Sequence, residues 1–95
     1  MEMHNPPHPG EFILEVYLKP LGVSYRKLAA KLNVAPSTIN RLINGQSNVS
    51  SEMALRLSKT LGRSAQSWLA MQNNYNLWQA KQTVNLDEVE KLEWA

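Results

Sequence analysis

The stretch Ser24–Gly45, SYRKLAAKLNVAPSTINRLING, decides the architecture that this sequence predicts. Apolar residues recur in it at helical spacing on either side of a short break, with Leu28, Ala29 and Leu32 before the break and Ile39 and Leu42 after it. The break is Asn33-Val34-Ala35-Pro36. Because one continuous helix would not keep both groups on the same face, the pattern predicts two helices joined by a tight turn.

The ends of both predicted helices carry residues that start or stop helices. Ser24 can cap the first helix through its hydroxyl. Asn33 can take the left-handed backbone conformation that ends that helix, and Pro36 suits the first turn of the next one. Asn44 and Gly45 then end the second helix. Two short helices joined in this way cross steeply, so the second is expected to project at the surface.

The outward face of this second helix suits a DNA major groove. Ile39, Leu42 and Ile43 form its buried side, which leaves an exposed set of small and hydrogen-bonding side chains with one cation: Pro36, Ser37, Thr38, Asn40 and Arg41. We expect Asn40 to pair with adenine or donate to a neighbouring base, and Arg41 to reach guanine or phosphate. The alternative is an ordinary helical hairpin inside an all-α domain.

Phosphate contacts are expected on both sides of that helix. The start of the preceding helix supplies Tyr25, Arg26 and Lys27, and the loop after Ile43 supplies Asn44, Gln46 and Ser47. Any polar turn would have a similar composition, so this second group also fits a loop without a role in binding.

The bulk properties of the chain limit what else it can be. Its 95 residues make one domain with a thin core, for which help from a partner subunit would be no surprise. The sequence has no cysteine, which excludes disulfides and thiolate metal sites. It contains no apolar run of membrane-spanning length and no signal segment at its start. We therefore expect a soluble, intracellular protein, and the lack of cysteine fits a reducing cytoplasm.

Charge is divided unevenly along the chain. Between Lys19 and Lys81 there are nine Lys and Arg residues and a single acidic residue, Glu52, so this part carries a net charge of +8. Four acidic residues and one lysine give residues 87–93 a net charge of −3. A basic body with an acidic tail is typical of a nucleic-acid-binding protein whose tail faces another protein, another subunit or solvent.

The first nine residues contain three prolines and no periodic pattern, so we predict a flexible lead-in over 1–9. His4 and His8 stand at the spacing of two helical metal ligands, but Pro6 and Pro7 prevent a helix between them. We expect two solvated histidines and no metal site.

The remaining helices complete a predicted helix-turn-helix domain over 10–81. Helix one should run from Pro9 or Gly10 to Lys19, with Phe12, Ile13, Val16, Tyr17 and Leu21 as its apolar residues. Helix four should begin at Ser50 or Ser51 and stop at Gly62. Its cations Arg56, Lys59 and Arg63 fit a solvated face or a secondary contact with the DNA backbone. Helix five should run from Ser64 or Ala65 to near Lys81.

Helix five and the acidic tail, 82–95, carry more apolar surface than a domain of this size can cover. We expect the far end of helix five, near Tyr75 and Trp78, to stay uncovered and to form a homodimer or partner interface together with four tail residues, Val84, Leu86, Leu92 and Trp94. The tail pattern fits a strand, a short helix or a disordered segment. The dimer contact can lie in helix five, the tail or both.

The segment Ser24–Gly45 resembles the DNA-binding helix-turn-helix of the phage-repressor and Cro type, the XRE family, in which the second helix contacts bases. Two positions depart from the family's common pattern. Asn33 replaces the usual glycine, and Tyr25 stands where many members carry a phosphate-contacting glutamine. The resemblance implies a five-helix, all-α, lambda-repressor-like fold with a short C-terminal extension.

Outside that segment the chain resembles HigA-type antitoxins over residues 8–80. The resemblance is carried by five short strings: His8-Pro9-Gly10-Glu11, Pro20-Leu21-Gly22, Met53-Ala54-Leu55-Arg56-Leu57, Leu61-Gly62 with Trp68-Leu69, and Tyr75-Asn76-Leu77. It implies a bacterial antitoxin that binds a HigB-type mRNA-cleaving toxin and represses its own operon from an operator in double-stranded DNA.

Other classes of function are weaker fits. A stand-alone dimeric repressor, or an interaction module without DNA binding, would share most of these features. An enzyme is not expected, because both histidines are in the lead-in and no acid–base pair is evident. We expect no cofactor, no small-molecule substrate and no membrane partner.

Overall fold

The computed structural model describes residues 5–93, and this range contains five helices. The first, α1, has three consecutive segments: Pro9–Ile13, the π-helical Leu14–Leu18, and Lys19–Leu21. The others are α2 (Tyr25–Leu32), α3 (Pro36–Ile43), α4 (Ser51–Leu61) and α5 (Ala65–Thr83). Residues 5–93 contain no strand, and the predicted five-helix, all-α class is confirmed. None of these helices has the length and apolarity that crossing a bilayer requires.

The predicted starts and stops of the helix-turn-helix are confirmed. The Ser24 hydroxyl accepts a hydrogen bond from the Lys27 N–H at 3.1 Å and caps α2. Asn33 ends α2 in the left-handed conformation with φ of 58°, and Pro36 is the first residue of α3. Gly45, with φ of 73°, closes α3. Local chemistry therefore fixes both ends of the turn before any long-range contact is considered.

One apolar core joins all five helices. Its fully buried members include Ile13 of α1, Ala29 of α2, Ile39 of α3, Leu57 of α4 and Trp68 of α5. The other buried apolar residues are Leu18, Leu28, Leu32, Leu42, Val49 and Ala54. Because α3 contributes only one face to this core, its opposite face remains outside.

The register of α1 differs from the predicted one. Val16 and Leu21 are exposed, and Leu18 is buried together with Ile13. The π-helical segment explains the difference, since its wider turn adds one residue and brings positions five apart onto the same side. Pro20 follows at once and lacks the N–H that a regular hydrogen-bond ladder would use.

The lead-in is packed where the structure describes it. Pro6, His8 and Pro9 are buried, so the prediction of a flexible, solvated segment is wrong at these positions. The His8 ring meets the edge of the Tyr75 ring, with centroids 4.9 Å apart, and its Nδ1 caps α1. His4 and the other residues of 1–4 lie outside the described range.

The far end of α5 and the tail extend away from the core, and the described part measures 55 × 25 × 23 Å. Helix α5 ends at Thr83, two residues after the predicted end. Residues 84–93 are exposed and hold one turn, closed by the Val89 N–H on the Leu86 carbonyl at 3.0 Å. Neither a strand nor a helix forms in this range.

Candidate DNA-binding surface

The outward face of α3 is arranged as the sequence predicts. Ile39 and Leu42 are at most 1% exposed, and they anchor one side of the helix in the core. On the other side Pro36, Ser37, Asn40 and Arg41 are exposed, and Thr38 is half-buried. The exposure of this face is confirmed, and its contact with DNA stays a prediction.

The N-terminus of α3 differs from those of its neighbours. The hydroxyls of Ser24, Ser50 and Ser64 cap α2, α4 and α5 respectively, each accepting a hydrogen bond from a backbone N–H of its helix. At the same position α3 has Ala35, whose methyl group cannot accept a hydrogen bond. The positive end of the α3 dipole is therefore left to an outside acceptor, and a DNA phosphate has the right charge and geometry for it.

A side-chain pair orients Asn40 on this face. The Asn44 amide donates to the Asn40 carbonyl at 2.9 Å and to Asn40 Oδ1 at 3.3 Å. Asn40 Oδ1 is thus turned toward Asn44, which leaves its NH₂ group to donate to a base. A phosphate contact by Asn44 stays a prediction, and in the free protein its amide serves Asn40.

The cations at the start of α2 are exposed beside α3. Arg26 and Lys27 are both accessible, and the Arg26 guanidinium lies 5.0 Å from the centre of the half-buried Tyr25 ring. The Tyr25 ring thus supports a neighbouring cation. A cation–π contact of this kind restricts the arginine while leaving its charge available.

The loop after α3 leaves the helix in a fixed direction. The Gly45 N–H bonds the Leu42 carbonyl at 3.0 Å, and the Gln46 N–H bonds the Arg41 carbonyl at 2.9 Å, which together form a Schellman closure. Gln46 is exposed and Ser47 is half-buried. The Gln46 backbone is already occupied, so any phosphate contact it makes must use its side chain.

The start of α1 packs directly on the end of α3. A Cβ atom placed on Gly10 would lie 1.8 Å from the Leu42 carbonyl oxygen and 2.8 Å from the Ile43 Cα. Only glycine lets the two backbones approach so closely. The position of the candidate reading helix is therefore set by a contact that no side chain makes.

His8 stabilises the same junction from a buried position. Its Nδ1 accepts from the Gly10 N–H at 2.9 Å, and its Nε2 has no hydrogen-bond partner within residues 5–93. Burial lowers the pKa of the His8 ring, while the Ser47 backbone and the Glu11 carboxylate act in the opposite direction. His8 is thus a neutral capping residue, and the predicted solvated histidine is wrong at this position.

Arg56 holds the turn between α2 and α3. Its guanidinium donates to the Leu32 carbonyl at 2.8 Å and approaches the Asn33 carbonyl at 3.4 Å, and it also pairs with Glu52 at 3.2 Å. The predicted solvated face is wrong for this residue. The sequence gives no direct signal for it, because the acceptors are backbone carbonyls 23 and 24 positions away.

Arg63 is exposed, as predicted, and its guanidinium also lies against two aromatic rings. Its guanidinium lies 5.0 Å from the Phe12 ring centre and 5.8 Å from that of Trp68. Lys59 is exposed, as predicted. Arg63 therefore covers aromatic core residues and is a structural cation.

A buried amide connects α5 to the loop after α3. Gln72 is only 4% exposed, and its Oε1 accepts from the Val49 N–H at 2.8 Å. Its Nε2 donates to the side chains of Asn48 at 3.2 Å and Asn76 at 3.0 Å. Sequence reasoning missed this residue because it followed only the apolar stripe of α5. The available signal was the place of Gln72 one turn after the buried Trp68.

The predicted dimer or partner residues form two groups. Tyr75 and Trp78 are half-buried, and His8 covers part of Tyr75, so the expectation that this end of α5 is uncovered is wrong there. Leu77, Val84, Leu86 and Leu92 are largely exposed, whereas Trp94 lies outside the described residues. The uncovered apolar surface therefore begins later along the chain than predicted.

Within residues 5–93, no three His, Asp or Glu side chains gather in a way that would hold a metal ion.

The amino-acid sequence of this chain is similar to those of several known proteins. A helix-turn-helix family model matches residues 14–68. Virulence-associated protein I of Dichelobacter nodosus is 46% identical over 83% of this chain and 76% of its own length. The HTH-type transcriptional regulator YddM of Escherichia coli is 41% identical over 97% of both chains. Antitoxin HigA-1 of Vibrio cholerae is 31% identical over 76% of this chain and 68% of its own length.

Solved structures give the same picture. The antitoxin GraA superposes with a TM-score of 0.88 at 36% identity, covering 95% of this chain and 99% of GraA. GraA in complex with its operator gives 0.87 at 35% identity, covering 99% and 97% of the two chains. Pseudomonas aeruginosa antitoxin HigA with the higBA promoter gives 0.82 at 34% identity, covering 94% and 100%. Two of these three solved structures contain DNA.

Proposed function

Because this chain belongs to the helix-turn-helix family and is of the HigA antitoxin type, we propose that it is a sequence-specific DNA-binding antitoxin of a type II toxin–antitoxin system. It represses its own operon and neutralises a HigB-type mRNA-cleaving toxin. The observation that carries the DNA half of the proposal is the exposed face of α3, where Ser37, Asn40 and Arg41 stand opposite the buried Ile39 and Leu42.

In this proposal α3 enters the major groove of the operator. Asn40 donates its oriented NH₂ group to a base, and Arg41 reaches guanine or phosphate. Ser37 and Thr38 lie at the start of α3, where the Ser37 N–H and the helix dipole hold a phosphate, while the Thr38 N–H donates to the Ala35 carbonyl at 3.0 Å. Tyr25, with Arg26 and Lys27, follows the DNA backbone on one side of α3. Asn44, Gln46 and Ser47 follow it on the other.

A homodimer would present two such helices. Two copies of α3 about 34 Å apart match successive major grooves on one face of the duplex. The distal end of α5 and the tail are our candidate for the dimer interface, with Tyr75, Trp78, Val84, Leu86, Leu92 and Trp94 as its residues. Support for this comes from the exposed Val84, Leu86 and Leu92, whereas Tyr75 and Trp78 are half-buried. Occupation of the promoter then causes repression.

Toxin neutralisation is proposed from family membership. Covering the active surface of a HigB-type toxin, or blocking its entry to the ribosome, would suffice, and the antitoxin needs no catalytic activity of its own. Both activities belong to the bacterial cytoplasm, where the operator and the toxin's mRNA substrate are found.

The DNA half is tested by a gel shift with the DNA upstream of the protein's own gene and a scrambled duplex of equal length. We expect a shift of the upstream DNA that weakens steeply as salt rises, and a weaker shift of the scrambled duplex. An interaction module without DNA binding would give no salt-sensitive shift with either duplex.

The toxin half is tested with the neighbouring reading frame. Its expression alone should arrest growth, and co-expression of this chain should restore growth. A variant with Arg41→Ala should still restore growth if toxin binding and operator reading use different surfaces. A neighbouring frame without toxicity, together with a normal gel shift, would favour the stand-alone repressor.

A further inference from the structure

The loop between α3 and α4, residues 44–50, is fastened at both ends by hydrogen bonds, and the one at its far end is buried. At its start, the Gly45 and Gln46 N–H groups close the end of α3. At its far end, the Val49 N–H donates to Gln72 Oε1 at 2.8 Å. Gln46 and Ser47 lie between these two points, so their positions depend on both.

Gln72 uses its whole amide group from a position that is 4% exposed. Its oxygen accepts from Val49, and its nitrogen donates to Asn48 and Asn76, which accounts for both of its N–H groups. Val49 is itself buried, so its N–H has no access to solvent as a substitute. Losing the acceptor would leave a buried donor unsatisfied unless the loop moved outward to reach water.

We propose that Gln72 is a positioning residue for operator binding, which holds the loop so that Gln46 and Ser47 meet the DNA backbone. The inference rests on the proposed function and adds a residue on α5 to it. Gln72 itself is buried under the loop and is not part of the exposed face of α3. Its effect must therefore pass through the loop.

The first test compares two substitutions on the same helix. Gln72→Met keeps the side-chain length and removes the acceptor of Val49. Asn76→Ala removes another partner of the same amide, at an exposed position, and leaves the Val49 hydrogen bond in place. We expect Gln72→Met to weaken binding to the upstream DNA by roughly tenfold, as for one lost buried hydrogen bond, and Asn76→Ala by less than about twofold.

A double-mutant cycle separates positioning from a general loss of stability. The second change is the pair Gln46→Ala and Ser47→Ala, which removes the side chains that the loop is held to present. If Gln72 acts through these two residues, Gln72→Met should cost less than about twofold in that background. Equal tenfold losses in both backgrounds would overturn the proposal, as would no loss in the wild-type background.

Two further measurements keep the outcomes distinct. Amide hydrogen exchange at Val49 should accelerate in Gln72→Met without added DNA, and unchanged exchange would contradict the structural premise.

If Gln72→Met does not fold, Gln72→Asn takes its place, because its shorter side chain withdraws the oxygen from Val49 while remaining polar. If the wild-type protein fails to bind the upstream DNA, the proposed function fails and this inference with it. Normal wild-type binding with unaffected variants would refute the inference alone.

Discussion

Two regions of this molecule differ in how far they bury their apolar side chains. The recognition unit, which we define as α2, α3 and the loop 44–50, is held from every other helix: by Gly10 of α1, Arg56 of α4 and Gln72 of α5. The distal segment, residues 84–93, exposes its leucines and touches little of the body. The comparison indicates that a single chain completes the recognition unit, whereas the distal segment leaves its apolar side chains exposed, as our proposed dimer interface requires.

The largest expected effect is on the recognition unit, from Gly10→Ala. In an ordinary helix this change stabilises the protein, because alanine has the higher helix propensity. Here the new Cβ would lie 1.8 Å from the Leu42 carbonyl oxygen, so α1 and α3 must separate. We expect a loss of about 3 kcal/mol in the free energy of unfolding, at the upper end for overpacked sites, measured by urea denaturation.

Gly22→Ala is the matched control for this change. Gly22 has φ of 63° and open space around its Cα, so alanine there meets backbone strain without a clash. A loss of about 1 kcal/mol is expected. If Gly10→Ala proved no more damaging than Gly22→Ala, the close contact between α1 and α3 would not limit the position of the reading helix.

The next effect concerns the distal segment. Leu86 and Leu92 are 66% and 78% exposed in the single chain, so changing both to serine should leave monomer stability almost unchanged. If they lie at the centre of a dimer interface, each change should weaken dimerisation by about 2 kcal/mol, measured by sedimentation equilibrium. Leu55→Ser on α4 is the control, since Leu55 is 65% exposed and lies outside the predicted interface. Equal effects of all three leucines would remove the distinction between the two regions.

A smaller effect is expected where the recognition unit meets the DNA backbone. Lys27 is exposed at the start of α2, and Lys27→Ala should weaken binding to operator and scrambled DNA about equally. The slope of log affinity against log salt should fall in magnitude by about one, as for the loss of one phosphate contact. Lys59→Ala, at an exposed cation outside the proposed contacts, should leave the slope unchanged. A Lys27→Ala slope equal to that of wild type would remove this residue from the contact set.

The smallest effect is a pH dependence at the contact between α1 and α5, where His8 lies between Gly10 and Tyr75. Burial lowers the pKa of His8 in the folded protein, so the folded state favours the neutral ring. The stability contributed by His8 is complete above the ordinary pKa of 6.5 and is lost as the pH falls below it. Thermal unfolding at pH 7.5 and 5.5 should show a loss for wild type.

His8→Asn is the control for that pH dependence. Asparagine can cap α1 but does not titrate, so the difference between the two pH values should shrink in this variant. The Glu11 carboxylate and the Ser47 backbone oppose the shift, which is why we place this effect last. An equal pH difference in both proteins would assign it to groups other than His8.

The sequence predicted the recognition unit well because its signals are local. Ser24, Asn33, Pro36 and Gly45 each act within a few residues of their own position, and the alternation of buried and exposed residues in α3 follows directly from helical spacing. The exposed α3 face was therefore available from the sequence alone.

What the sequence could not predict depends on distant contacts. Arg56 and Gln72 each bond residues more than twenty positions away, and His8 is buried by an aromatic ring on α5. The register of α1 was missed for another reason, since a π-helical turn breaks the regular period that the prediction assumed. Where a polar residue is buried by a remote element, its own neighbourhood gives no sign of it.

The central claim is that the exposed face of α3 reads the operator sequence. The most direct test is the ratio of affinities for the upstream DNA and for a scrambled duplex, measured by fluorescence anisotropy at one fixed salt concentration, for wild type and for Arg41→Ala. The account predicts that Arg41→Ala lowers this ratio by about tenfold or more, because a base contact is lost while the phosphate contacts remain. An unchanged ratio would contradict the claim.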